Sequence, residues 1–519
     1  MQVAQLIKEC RYEQAIEFYR NSSANEKDFA NMSMVYMLMN DADNALVAAQ
    51  KAIAIAPNWA KGYYRAAKAY ELKLDAENAK AMYAKMKEYA PDMAIGDAAN
   101  VHVNILRNWL IREGAVLNSV TVDYYAENYR GMRVTKDTPF KSPIMQIPRH
   151  CIVSLLDSEQ TGYLRNVSKS ITSPHARLAL ELLDSKKTGR RTEYLNTVPD
   201  KFTSLPNNFS ADEMHELRGS YIMVKVAEIE KYLHNEYNSI LQYINADFTY
   251  DEYVWARNVV VTRVYYVRRM IDGKPYDDLV LVPMADMANH TLNQNTFWYY
   301  DSKKEVFTVE ANTFILANDN LYETYGAKSN YRFLLNYGFV VDDNHEDQVH
   351  LVLDPVLQSY LSSYSDVSDH LNKFFGTQDV FLISYDVNDA AFQNVIKNIA
   401  AKVARIQEGE ERSLLTDIYQ LLKTFISRQL DGYPTTLEED QAILDMYDQD
   451  FNTRNCIILR MGEKKILHRA LNFLDDMIEV DAKKDTKLLK KIIAKYKVSK
   501  KTSMLSKSND SAIKSAEWV

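Results

Sequence analysis

Two short segments carry the residue types that could do chemistry. Asp286-Met287-Ala288-Asn289-His290 places a carboxylate, an amide and an imidazole within five positions. Tyr325-Gly326-Ala327-Lys328-Ser329-Asn330 adds a phenol, an ammonium, a hydroxyl and a second amide. Such groups hold polar ligands through hydrogen bonds. Each has a plainer reading when taken singly. A lone tyrosine such as Tyr325 is more often a core residue, and a lone His290 is more often structural. The order and spacing of the two segments make them a candidate site. Metal chemistry is not suggested. Cys10, Cys151 and Cys456 lie too far apart for Cys-x-x-Cys spacing, so no zinc is expected.

The bulk properties bound what can surround such a site. A chain of 519 residues is too long for one hydrophobic core, so two to four domains are expected. Hydrophobic residues make up 47% and charged residues 25%, which excludes disordered and collagen-like classes. The 35 tyrosines favour amphipathic surfaces and name no function. Sparse, odd-numbered cysteines argue against a secreted disulfide framework and for a reducing compartment, cytoplasmic or nuclear. No signal core and no run of ~18 apolar residues is found, so no membrane span is expected. A transit peptide fits poorly, because residues 4–19 already read as structured repeat. The net charge is −8, yet residues 481–519 hold 11 Lys against 4 acidic residues. A global nucleic-acid footprint is therefore absent. The Lys-rich tail has two readings, a solvated helix with a flexible end or a contact for an acidic or polyanionic partner.

Residues 1–95 read as a helical repeat. Pro57 and Pro91 stand 34 residues apart, as do Ala45 and Ala79, and Tyr36 and Tyr70. Small residues let paired helices approach, and proline ends each second helix. This pattern resembles tetratricopeptide repeats, with full units at 25–57 and 58–91. Residues 1–24 resemble a first unit with a short leading helix, which leaves open whether Met1 is the native start. Repeats of this kind stack into grooves that bind peptides. Asn31, Lys61 and Arg65 fall where clamp-type members grip a carboxylate. The first-repeat Lys and Asn of that clamp have no counterpart here, and the other reading of Lys61 and Arg65 is a solvated helix face.

The pattern changes after Trp109-Leu110 and Gly114. Short β-type runs follow at Val120–Val122, Met132–Val134 and Ile144–Ile147. Residues 174–245 are mostly helical by periodicity, with Leu178, Leu182 and Leu183 on one face. Residues 279–283 are an apolar β run, and residues 296–309 read as a hairpin around Asp301-Ser302-Lys303-Lys304. A β-rich unit is thus interrupted by helices and resumes. This layout resembles the SET family of methyltransferases, in the branch of the RuBisCO large-subunit lysine methyltransferase and the actin-histidine methyltransferase. The matching pieces include Gly131 through Asp137, Ile147-Pro148-Arg149, Leu205-Pro206, Trp255-Ala256 with Thr262-Arg263, Pro283 through His290 and Tyr325 through Phe339. The implied fold class is α+β and multidomain. It comprises the repeats at 1–95, a SET core at 100–345 with a helical insertion at about 155–250, a helical substrate-binding-type domain at 346–480, and the tail.

The resemblance implies S-adenosyl-L-methionine as cofactor and a protein substrate. It implies that Gly131, Arg263, Asn289 and His290 bind the cofactor, with Arg263 facing its carboxylate. Tyr325 would stand beside the transferring methyl. Tyr265, Tyr337 and Phe339 would line the channel for the target side chain. Two departures bear on this. The cofactor loop of the family reads Gly-x-Gly, where backbone passes close to the ligand. Here it reads Tyr129-Arg130-Gly131. The chain bows outward, the Tyr129 hydroxyl replaces a backbone contact, or Tyr129 fills the site and leaves a degenerate scaffold. Secondly, Tyr265 stands at a position that is aromatic in lysine-modifying relatives and Asn in the histidine-modifying one, and Ala285 replaces a Trp of the latter. An aromatic wall accepts an alkylammonium, so a protein-lysine N-methyltransferase is expected ahead of a histidine methyltransferase.

Residues 385–475 read as helical. Tyr433 through Asp440 is a turn into a helix, with Thr436 and Glu439 forming a capping box. Arg454 to Leu467, with Glu463 and Lys464, follows. Both resemble the docking domain of the same branch, and both also suit a plain helical bundle.

Overall fold

A computed structural model of the chain describes residues 2–22, 25–93, 95–126, 129–159, 161–352, 380–384, 411–446, 449–483 and 486–496. The chain divides into two compact units. The first is Met1–Asp200 with Tyr243–Tyr325, and the second is Lys201–Gln242 with Gly326–Val519.

The first unit opens with the helices Gln2–Lys8, Tyr12–Arg20, Glu26–Leu38, Ala42–Ile55, Ala60–Leu72 and Ala76–Tyr89. The 34-residue period of the sequence recurs in their turns. Asn40 and Leu74 take left-handed conformations with φ of 58° and 63°. Asp41 and Asp75 then cap the following helices, accepting from the backbone N–H groups of Asn44 and Asn78 at 3.1 Å each. Ala45 and Ala79 are fully buried, where any larger side chain would force the paired helices apart.

The helix Val101–Arg112 leads into the sheets, and Gly114 at φ 88° ends it. One sheet runs β1 (Val116–Leu117), β4 (Pro143–Pro148), β10 (Val306–Ala311) and β9 (Thr296–Asp301). A second runs β2 (Val120–Ala126), β3 (Tyr129–Val134), β11 (Asn320–Glu323) and β8 (Asn289–His290). A third runs β5 (Val153–Ser154), β7 (Lys274–Leu281) and β6 (Tyr265–Ile271). Asp272 and Gly273, at φ 51° and 73°, make the tight turn between β6 and β7 that twisted antiparallel strands favour. The expected hairpin forms between β9 and β10, where the Asp301 carboxylate accepts from the N–H groups of Lys303 and Lys304. Helices Pro174–Thr188 and Tyr250–Arg263 pack together in this unit, and Leu178, Leu182 and Leu183 are buried as their period implies.

The second unit holds the helices Ile222–Ile240, Asn330–Tyr337, Glu411–Asp431, Leu437–Leu444, Phe451–Lys483 and Thr486–Tyr496. One expectation is corrected here. The domain expected to be helical over 346–480 also holds an antiparallel pair, β12 (Gln348–Val352) and β13 (Val380–Ser384). Val349, Leu351 and Ile383 of that pair are buried and join Ile426, Leu467 and Phe473 in one core. Alternation over five residues is too short to register against a helical background. Residues 385–410, expected to be helical, lie outside the described residues, as does the tail beyond Tyr496. The first part of that tail is helical and docked, with Ile492 and Tyr496 in the core.

The motif residues of this unit are its fasteners. Thr436 and Glu439 form the expected capping box. Glu463 accepts from the hydroxyls of Ser220 and Tyr433, at 2.8 Å each. Lys464 donates to the carbonyls of Thr435 and Thr436 at 2.8 and 3.1 Å, and pairs with Asp440. Arg460 donates to Asp440 from Nε at 2.9 Å. Asp440 thus pairs with two buried cations, and Glu216 shares Arg460. Removing one partner of a buried pair leaves the other charge uncompensated. Asp440→Ala should lower stability by about 3–5 kcal/mol in urea denaturation. A loss below about 1 kcal/mol would place this carboxylate among exposed ion pairs in energetic worth.

Candidate active site

The helix Tyr250–Arg263 starts with a capping box from Thr249 and Glu252. It ends at Arg263, where the helix dipole favours a cation. Val264 is extended, and β6 begins at Tyr265. One helix-to-strand junction therefore sets both Arg263 and Tyr265. Arg263 Nη1 donates to the Asp286 carbonyl at 3.1 Å and to its Oδ2 at 3.2 Å. Tyr194, from the short helix Thr192–Leu195, donates its hydroxyl to the same Oδ2 at 2.7 Å. Burial pulls the Arg263 guanidinium down, but Asp286 and Tyr194 reverse this and leave it above its ordinary value. Burial, then Asp286, pushes the Tyr194 phenol well above the usual range. Asp286 reaches these partners from a one-turn helix, Ala285–Met287, that follows Met284 at φ 74° and ψ −46°. A side chain rarely adopts that backbone conformation, and such strain persists only where the surroundings impose it.

The second segment meets the first through the sheet. β11 lies between β3 and β8, pairing antiparallel with Met132 and Arg133, and parallel with Asn289 and His290. Asn289 Nδ2 donates to the Arg130 carbonyl at 3.0 Å. The Tyr325 N–H donates to His290 Nδ1 at 3.0 Å, and the two rings lie 5.2 Å apart. The Tyr325 hydroxyl donates to the Ala288 carbonyl at 2.8 Å. With its proton so used, that oxygen keeps lone pairs able to accept from an N–H or a polarised C–H group.

Tyr265 is buried. Its ring stands edge-on to Trp298 and Phe307, both at 5.1 Å, and its hydroxyl donates to Glu323 Oε1 at 2.8 Å.

Gly131 is buried in β3 opposite Asp123. The backbone of Tyr129 begins that strand, and its side chain lies outside the described residues. Tyr337 and Phe339 belong to the second unit, where both rings pack within 6.2 Å of Phe333. Asn31, Lys61 and Arg65 are half-buried on the helical hairpins. Among the described residues no hydrogen bond or ion pair joins these three, and Arg65 lies 5.6 Å from the Tyr64 ring. A cleft of about 600 Å³, lined by Lys68, Asn100, Asn104, Arg107 and Asp123 among others, runs between the hairpins and β2.

Sequence reasoning missed Tyr194 and Glu323 as members of this cluster, and it named Arg130 in the loop without a role for its side chain. Tyr194 lies 92 residues from Asp286, with no local pattern joining them. Glu323 did carry a signal. It is an acidic residue at an inward position of a buried strand, in register with Leu321. No group of three or more His, Cys, Asp or Glu residues suited to a metal ion occurs among the described residues. Nor is any described helix long and apolar enough to cross a membrane.

Comparison with known proteins places this arrangement. Residues 387–467 match the family model described as Rubisco LSMT substrate-binding. The chain is 24% identical over 428 residues to the actin-histidine N-methyltransferase of Canis lupus familiaris, covering 75% of this chain and 69% of the relative. For the Homo sapiens protein of that name the values are 24% over 430 residues, 75% and 68%. Among solved structures, Rubisco LSMT bound to sinefungin and monomethyllysine superposes with a TM-score of 0.60 at 19% identity, covering 74% of this chain and 93% of that one. The AdoMet-bound form gives 0.58 at 18% identity, covering 79% and 98%. The chain has the fold of these SET-domain structures.

Glu323 yields a direct test. Burial pushes its carboxyl up to about 8, against the hydrogen bond from Tyr265, with Asp286 adding to the rise. In the unfolded chain it ionises near ~4.3. Between these values the folded chain keeps a proton that the unfolded chain has released, so stability falls as pH rises through the window. Glu323→Gln keeps the acceptor and removes the ionisation. Its stability relative to the parent should rise from pH 5 to pH 8 by on the order of 2–3 kcal/mol, read from denaturant melts. A difference that is the same at both pH values would reject a raised carboxyl.

Proposed function

We propose that this chain is an S-adenosyl-L-methionine-dependent protein methyltransferase with Tyr325 at the point of transfer. One observation carries the reading. Beside the Tyr325–His290 pair, Arg263 Nε and Asp286 Oδ1 are buried and have no hydrogen-bond partner among the described residues. Buried polar atoms are rarely left so. An orphaned cationic donor and an orphaned anionic acceptor suit the carboxylate and ammonium of an amino-acid end. The likeness to methyltransferases and to AdoMet-bound Rubisco LSMT points the same way. Arg263, Asn289, His290 and the backbone at Gly131 would hold the cofactor. When bound, it supplies a methyl group already activated on a sulfonium. The residues of the chain therefore need only position the acceptor and exclude water.

The acceptor we propose is a protein lysine. Tyr265 offers an aromatic face and Glu323 a carboxyl, a combination that suits an alkylammonium. Tyr337 and Phe339 would extend the aromatic wall. A buried amine also loses its proton more readily, as attack requires. Histidine is the second reading, favoured by the actin-histidine methyltransferases among the relatives. The helical hairpins within 1–95 are proposed as tetratricopeptide repeats that recruit a protein, the region 100–345 as the SET core, and 346–480 as the docking domain. The cleft beside the hairpins offers the repeats a polar groove.

Calorimetric titration of the full chain with S-adenosylhomocysteine tests the cofactor. Binding in the micromolar range is expected. No heat at millimolar ligand would sink the proposal and leave a scaffold role for the chain. Where binding is seen, Tyr325→Phe should retain it and lower methyl transfer to labelled cell protein by at least about 100-fold. Full transfer by that variant would reject its role. Mass spectrometry of the labelled product decides between lysine and histidine.

A further inference from the structure

The altered cofactor loop places a second arginine in the site. Arg130 follows Tyr129 in β3 and shares the strand face of Met132 and Val134, which are fully buried. Its main chain is pinned there, since its carbonyl accepts from Asn289. Its guanidinium is desolvated and lies close enough to Arg263 for repulsion, with Asp286 and Tyr124 opposing this. Nη1 makes only a long contact, 3.5 Å, to the Tyr124 hydroxyl. Nη2 is buried and has no hydrogen-bond partner among the described residues. Among the described residues no carboxylate pairs with Arg130. Asp286 is engaged through Oδ2 by Arg263 and Tyr194.

The charge count is therefore unbalanced. Among the described residues two desolvated guanidinium groups share one carboxylate, which leaves one positive charge uncompensated there. Arginine cannot escape by losing a proton. A buried cation of this kind is costly unless an anion comes to it. The missing partner is one negative charge with paired oxygens, which a guanidinium recognises best.

We propose that Arg130 is a carboxylate-binding residue of the cofactor site, gripping with Arg263 the carboxylate at the amino-acid end of S-adenosylmethionine. The inference rests on the cofactor reading given above. The loop that departs from Gly-x-Gly then exchanges a close backbone approach for a charge-assisted side-chain contact.

The test uses two ligands on the full chain, S-adenosylhomocysteine and 5′-methylthioadenosine, the second lacking the amino-acid end. Arg130→Met should weaken the first by about 10- to 100-fold and leave the second within about twofold. Arg130→Lys keeps the charge without the fork, and its loss for the first ligand should be intermediate. It also supplies the comparison if the Met variant does not fold. Unchanged affinity for S-adenosylhomocysteine in both variants overturns the role of Arg130 while leaving the cofactor site standing. Equal losses for both ligands overturn it too, by making Arg130 a residue of the fold. If the parent chain binds neither ligand, the cofactor reading fails and this inference fails with it.

Discussion

The ion pair between Arg263 and Asp286 is the constraint on which the site depends. It ties three elements that the chain does not join locally. Arg263 ends a helix, Asp286 sits on a strained turn, and Tyr194 arrives from the inserted helices to share the same carboxylate oxygen. A buried pair of this sort is poor value as stability, because desolvation offsets most of the attraction. What it gives is placement. With Asp286 held at both its carbonyl and its carboxylate, the residues after it enter β8 in one register, and His290 meets the Tyr325 backbone.

That register is a property of the sheet rather than of the motif residues. β11 pairs in opposite senses with its two neighbours, antiparallel to β3 and parallel to β8. A slip of one residue on β11 would turn Leu321 and Glu323 outward and move Tyr325 off its carbonyl partner. Thr296 and Asn295 reinforce the position by bonding to the β11 backbone at Tyr322.

Much of this was legible in the sequence where chemistry and periodicity coincide. The 34-residue spacing marked the hairpins because buried alanines and capping aspartates must recur together. The two motif segments marked the cluster, since the structure brings their polar groups together. The rest was hidden for physical reasons. Tyr194 contributes through space, and nothing in its local sequence distinguishes it from a core tyrosine; Arg130 stood in the altered loop, but its side chain was given no role. The β12–β13 pair escaped because two strands of five residues, set far apart, leave no local period. Lys464 and Glu463 were visible as motif residues, yet their work is internal, holding the turn at Thr435 and the Tyr433 hydroxyl.

The electrostatics of the first unit are asymmetric in a way that the fold alone does not require. At one end of the cluster two guanidinium groups face a single carboxylate. At the other, Glu323 is buried so deeply that it holds its proton near neutrality, with Tyr265 as its hydrogen-bond partner. A helical or sheet core would be more stable with apolar residues at both ends. The positive end suits an anionic ligand group that must be held and never reacts. The other end holds a buried acid that keeps its proton in the neutral range. Tyr325 lies in the same cluster, linked to the first end through His290 and Ala288. A structural role explains the burial of each group, but not why the cation excess and the neutral acid are kept in one site.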